Sequence, residues 1–186
     1  MTLTTINLAA LGDTINLSTE VTGTLPTGNG GTGATTFAPG KILQVINGQN
    51  TTNVSITTTT FTDSGLTATI TPSATSSTII VLVSHTIRYL NASDDNLMFG
   101  CKILRDSTVI GGGGNGTGQS GVRLSAGAHS DTQYGTYLHY STVDSPSSTS
   151  ALVYKTQFAI NEADAHGLNT ADGSNRQTLT LMELGA

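Results

Sequence analysis

Four histidines, one cysteine and twelve carboxylates are the residues of this 186-residue chain from which chemistry could be built. His129-Ser130-Asp131 puts the three side-chain types of a nucleophilic triad into one tripeptide. Neighbours in a strand point to opposite faces, so these three cannot form a triad by themselves. His85, His129, His139 and His166 show no H-x-x-x-H spacing, and a single cysteine is too few for a structural zinc site. His85 and His139 fall within expected strands and read as packing or pore-lining residues. Cys101 reads as a small buried apolar residue on a strand. The acidic cluster Glu162, Asp164 and His166, followed by Asp172-Gly173, lacks the order of a calcium loop and reads as solvated loop. Asp94-Asp95 reads as a hairpin tip. The pattern G-x-G-x-x-G occurs at Gly28, Gly30 and Gly33, at Gly111, Gly113 and Gly116, and at Gly116, Gly118 and Gly121. None of the three lies between a strand and a helix, the context in which that pattern holds a dinucleotide, so they measure glycine abundance. No catalytic residue, cofactor or metal site is expected.

The elements that would position any such residues are set by an unusual composition. Apolar residues are 36% and charged residues 10% of the chain, both below the roughly 45% and 25% of an average soluble domain. Threonine, serine and glycine fill the difference, with 74 of 186 residues. Threonine is stiff at Cβ and suits a pleated surface, while glycine and serine favour turns, so the bias favours strands over helices. The net charge is −5 and the seven basic residues are scattered singly. No basic stripe is available to neutralise a phosphate backbone, which argues against nucleic acid as a partner. The longest apolar run, Ile79-Ile80-Val81-Leu82-Val83, is far shorter than the roughly 20 residues of a membrane helix, so no membrane insertion is expected. The first residues lack the basic region of a secretory signal, and one cysteine rules out an intrachain disulfide. Together these point to a soluble, non-exported product of a reducing compartment.

From Lys41 onward the sequence reads as successive strands. Lys41 to Ile46 is the first, closed by a tight turn at Asn47-Gly48. A threonine-rich edge strand spans Val54 to Phe61. Leu66, Ala68 and Ile70 then alternate with threonines up to Pro72, and a long strand runs from Ile79 to about Leu90. Leu97 to Leu104, Tyr134 to Tyr140, Ala151 to Ile160 and Gln177 to Leu184 complete the set, with a loop at Gly111 to Gly121. About eight strands without helical periodicity predict an all-β, antiparallel sandwich of jelly-roll type over residues 41–186. The Ile79 to Val83 run, and the strand in which Met98 and Leu104 oppose Phe99 and Ile103, are apolar on both faces. The second face asks for cover, most simply from another subunit.

Residues 1–40 have no basic residue, one aromatic and many glycines, too little apolar mass for a core of their own. Within them Thr5-Ile6-Asn7-Leu8 recurs as Thr14-Ile15-Asn16-Leu17. An alternating strand that cannot bury its apolar face within its own chain requires a partner. The segment Val21-Thr22-Gly23-Thr24-Leu25-Pro26-Thr27-Gly28-Asn29-Gly30-Gly31-Thr32-Gly33-Ala34 resembles the V-T-G-x-L-P-x-x-N-G-G-T-G stretch of bacteriophage tail fibres and related virion proteins. It departs from that pattern at Thr27-Gly28, where small apolar residues are common. Phe37 to Val45 is similar to the passage of such proteins from shaft to β-rich terminal domain, and Leu179 to Leu184 is similar to their last strand.

The resemblance implies a homotrimer: an extended N-terminal arm over residues 1–40 that trimerises and attaches to the virion, and three β-domains packed into a head. Leu25, Pro26, Asn29, Gly30, Gly31, Thr32 and Gly33 are the expected trimerisation and shaft residues. Leu25 would be an inward anchor, Pro26 would fix the entry angle, and the glycines would admit close backbone approach and positive φ. The function implied is a non-enzymatic short tail fibre on the exterior of a phage particle, made in the bacterial cytoplasm. Its expected partners are itself, other virion proteins and a host surface glycan; no glycan-contacting residue is assigned. A trimeric capsid decoration or head-fibre protein is the alternative.

Overall fold

A computed structural model describes residues 42–90, 97–113, 122–124, 133–160, 168–170 and 176–185. The arm with its candidate residues Leu25 to Gly33, the Asp94-Asp95 tip, His129-Ser130-Asp131, the Glu162, Asp164, His166 and Asp172 cluster, and residues 114–121 of the glycine loop lie outside them.

The described elements are strands: β1 (Ile42–Asn50), β2 (Ser55–Ile56), β3 (Thr62–Ile70), β4 (Thr78–Leu90), β5 (Leu97–Arg105), β6 (Thr108–Gly113), β7 (Val122–Leu124), β8 (Gln133–Asp144), β9 (Leu152–Ile160), β10 (Leu168–Asn169) and β11 (Gln177–Leu184). Alternation in the sequence becomes alternation of burial. Ser64, Leu66, Ala68 and Ile70 of β3 point inward between exposed Thr67 and Thr69. Leu152, Tyr154, Thr156, Phe158 and Ile160 of β9 form one inward row, as their spacing predicts.

The long strands form two antiparallel sheets packed as a sandwich. The first has the order β1-β11-β4-β8 and the second β3-β9-β5-β6. Short β10 pairs with β4 beyond β11, β2 pairs with β10, and β7 pairs with β5 beyond β6. Counted in chain order, the eight long strands are arranged 1-8-3-6 and 2-7-4-5, so the chain wraps from sheet to sheet as a jelly roll. Two apolar clusters fill the space between. Leu66, Ile70, Ile79, Val81, Tyr154, Leu179 and Leu181 belong to one, and Ile56, Ile87, Phe99, Cys101, Phe158 and Ile160 to the other.

Four local expectations are corrected. Asn47-Gly48 makes no turn, because β1 continues through it to Asn50. Gly48 is needed for proximity: a Cβ there would stand 2.1 Å from the Thr67 carbonyl oxygen of β3. Of the expected edge strand Val54 to Phe61 only Ser55–Ile56 pairs. Beyond it the threonines bond locally, Thr58 Oγ1 accepting from the Thr60 N–H at 3.1 Å and Thr62 Oγ1 donating to the Thr60 carbonyl at 3.2 Å, which competes with a ladder. The eighth long strand is instead β6, whose glycines read as loop. It closes on β5 through Asp106-Ser107, with Asp106 at φ 52°, and is bulged where Ile103 pairs with Gly111 but Leu104 with Val109. Gly112 sits at φ 74°, and a Cβ there would meet the Cys101 carbonyl oxygen at 2.1 Å. Finally, Leu104 on the outer side of β5 is covered by its own chain and needs no second subunit.

Candidate functional site

Three buried polar groups hold strands and connections in place, two of them across the two sheets. His85 of β4 faces inward, and its Nδ1 lies 2.5 Å from Gln177 Oε1, which can only accept, so Nδ1 carries the proton. Its Nε2 then accepts from Thr156 Oγ1 at 2.9 Å, and Thr156 in turn accepts from Ser64 Oγ at 2.6 Å. Ser64 Oγ accepts from the Leu66 N–H at 3.2 Å, and the Gln177 amide donates to the Thr170 carbonyl. The chain runs in one direction and includes no place for a second imidazole proton. Burial holds the His85 pKa down at about 4, with the Gln177 bond opposing that shift. Ser64, His85 and Thr156 are each fully buried, so this hydroxyl–imidazole chain is closed to any substrate.

Glu183 of β11 is also buried. Its Oε1 accepts from the Ser73 N–H at 2.7 Å and from the Ser73 and Ser77 hydroxyls at 2.6 Å each, and its Oε2 from Gln44 Nε2 at 2.6 Å. Burial raises the carboxyl pKa, but these bonds outweigh it and leave it at about 2. At the end of β8, both Asp144 carboxylate oxygens lie 2.7 Å from Arg105 Nη1, and Asp144 Oδ2 accepts from Tyr154 Oη at 2.7 Å. Burial, reinforced by Asp144, pushes the Tyr154 phenol upward. All three arrangements hold strands in place; none presents a reactive group to solvent.

The two outer faces of the sandwich differ sharply. On the second sheet Lys155 Nζ pairs with Asp63 Oδ2 at 2.9 Å, Gln157 donates to Asp63 Oδ1 at 2.7 Å, and Lys102 Nζ lies 3.7 Å from the Phe61 ring centre. On the first sheet, register places Val45, Met182, Ile80 and Val143 side by side across all four strands. Val45 is 53% and Val143 63% exposed. Next to this row, Asn47, Thr180, Leu82 and Ser141 form a second, and Gln49, Thr178, Ser84 and His139 a third. On the other side, Ile42 pairs with Leu184 and Leu184 with Thr78. Among the described residues of this face, the first formal charge is Arg88, at the far end of β4.

Between β11, β4 and β8 the face dips into a shallow depression of about 290 Å³ edged by Leu82, Ser84, His139, Ser141, Thr178 and Thr180. Beside it the Tyr137 ring, 66% exposed, stacks on His139 with centres 6.5 Å apart and planes 12° apart. His85 is therefore the packing histidine and His139 the surface one. Cys101 is buried, and burial pushes its thiol up to about 12, so it is inert. Gly111, Gly112 and Gly113 sit in the β5–β6 hairpin, with no helix among the described residues. The apolar row escaped sequence reasoning because Val45, Val143 and Met182 come from strands far apart in the chain. Its local signal is the alternation Tyr137, His139, Ser141, Val143, which continues past Tyr140 to the end of β8.

No family model and no curated protein matches the chain. Among solved structures, the chain is similar to one from the crystal structure of the T13 IBDV viral particle, at TM-score 0.35 and 14% identity. The match covers 77% of this chain and 36% of that one, so this chain spans about a third of its length.

Proposed function

We propose that this chain is a non-enzymatic structural protein of a bacteriophage particle: a short homotrimeric tail fibre. Its arm attaches to the virion through other virion proteins, and its jelly roll faces outward toward a host surface glycan. The observation that carries this reading is the junction of two parts. A glycine-rich segment resembling fibre shafts, Val21 to Ala34, precedes an eight-strand jelly roll in which the buried His85, Glu183 and Asp144 arrangements serve packing. Such a body supports a structural role through the surfaces that it offers.

Immunogold labelling of intact particles tests the location. Label on the tail supports the fibre, whereas label confined to the head removes it in favour of a capsid decoration or head-fibre protein. Incubation with host polysaccharide should release no oligosaccharide, and release would overturn the non-enzymatic assignment.

A further inference from the structure

We infer that the outer face of the β1-β11-β4-β8 sheet is where this chain packs against its own copies, with the Val45-Met182-Ile80-Val143 row at the centre of the contact. The inference rests on the homotrimer reading and names the surface that reading leaves open.

Of the large apolar side chains exposed among the described residues, Ile42, Leu43, Val45, Leu82, Tyr137 and Val143 belong to this sheet, against only Val109 and Val153 on the other. An apolar row continuous over four strands is not the scattering of single residues normal on a soluble surface. The occupant follows from charge and from where the arm joins. Each copy carries a net charge of −5, so like copies repel on average, and a contact made through charged side chains must also offset their desolvation. This face is without formal charge from Thr78 to Thr86 of β4, whereas the opposite face carries Asp63, Lys102 and Lys155. The 41 preceding residues join at Ile42, which sits at the edge of the apolar row opposite Leu184. Copies tethered through those preceding residues would hold this face at high effective concentration for its own kind.

Size sets how much this face can do. Four strands about 4.8 Å apart, over eight steps of about 3.4 Å, span roughly 500 Å² in plan. A stable pair buries about 800 Å² per partner. Face and arm must therefore act together, so the test uses the full chain.

Val45→Lys with Val143→Lys places two charges at positions already more than half exposed. The matched control is Thr69→Lys with Val153→Lys, a cross-strand pair on the outer side of the second sheet. Sedimentation should give wild type and control at about three times 19.0 kDa, and the Val45/Val143 variant as a folded monomer or at least 100-fold weaker in association. A trimer retained by that variant removes this face and leaves the fibre reading standing. A monomeric wild type removes both.

A second measurement needs no disruptive change. Cys101 is buried and silent, so a thiol introduced by Val143→Cys should react with maleimide at least tenfold more slowly in the assembled protein than one introduced by Val153→Cys. Equal rates overturn the assignment.

Discussion

His85 is held neutral at the centre of the sandwich, and acid acts on it first. Its folded pKa, about 4, lies below the 6.5 of an unperturbed histidine, so the unfolded chain takes up a proton that the folded chain refuses. The stability it contributes is complete above pH 6.5 and drains away as pH falls toward 4, by about 3 kcal/mol in all at 1.36 kcal/mol per unit. Urea titrations across that range should show the decline in wild type and a flatter profile in His85→Leu, which is less stable at pH 7 because Thr156 loses its acceptor and Gln177 its donor. Glu183 follows at lower pH. Its folded pKa of about 2 lies below 4.5, so its contribution is complete above pH 4.5 and is lost as pH falls toward 2. Glu183→Gln removes the charge and turns an amide donor toward either the Gln44 amide or the Ser73 and Ser77 donors, and should cost about 3 kcal/mol in urea unfolding at pH 7. A cost under about 1 kcal/mol would mean that the carboxylate is not the anchor described. Tyr154→Phe removes one bond to Asp144, so a loss of about 1–2 kcal/mol is expected in the same measurement.

At the scale of the strand, glycine and threonine decide where pairing starts and stops. Gly48 lets β1 pass over β3 at a distance no side chain could tolerate, because its Cβ would meet backbone rather than a side chain that could swing away. Gly135 in β8 is different: among the described residues, a Cβ there would meet nothing nearer than the Ile87 carbonyl oxygen at 3.9 Å. Gly48→Ala should therefore destabilise by about 3 kcal/mol or more through backbone displacement, whereas Gly135→Ala should be neutral or stabilise by up to about 1 kcal/mol. Thermal melts of the two variants separate these expectations, and equal effects would show that β1 and β3 are not so close. The hydroxyls of Thr58 and Thr62 act oppositely to a β-promoting side chain, bonding the backbone of Thr60 and bending the segment after β2.

At the scale of the molecule, the sandwich is asymmetric in its surfaces rather than in its core. One outer face is laced by Lys155, Asp63 and Gln157, and the other presents valine, methionine, isoleucine and leucine beside uncharged polar residues. If copies associate through the uncharged face, ion pairs contribute little to the assembly and salt cannot screen it apart. Sedimentation should then report the same threefold mass in 50 mM and in 1 M sodium chloride. Dissociation at high salt would mean that charged residues hold the copies together and that the apolar row is not the centre of the contact.

Alternation alone determined the fold class, because a half-buried strand must place every second residue in the core: Leu66, Ala68 and Ile70 in β3, and Leu152 to Ile160 in β9, were legible without coordinates. The histidine that packs was placed in its strand but not separated from the one at the surface, since both lie in alternating runs and only register shows that His85 faces Thr156 and Gln177. Glycine misled twice, at Asn47-Gly48 and at Gly111 to Gly113, because a local pattern does not distinguish a residue needed for a turn from one needed for close approach or a bulge. The apolar row lay beyond any local reading. Val45, Ile80, Val143 and Met182 become neighbours only when a jelly roll sets the first, third, sixth and eighth long strands edge to edge, and that order is decided by how two sheets close over one core.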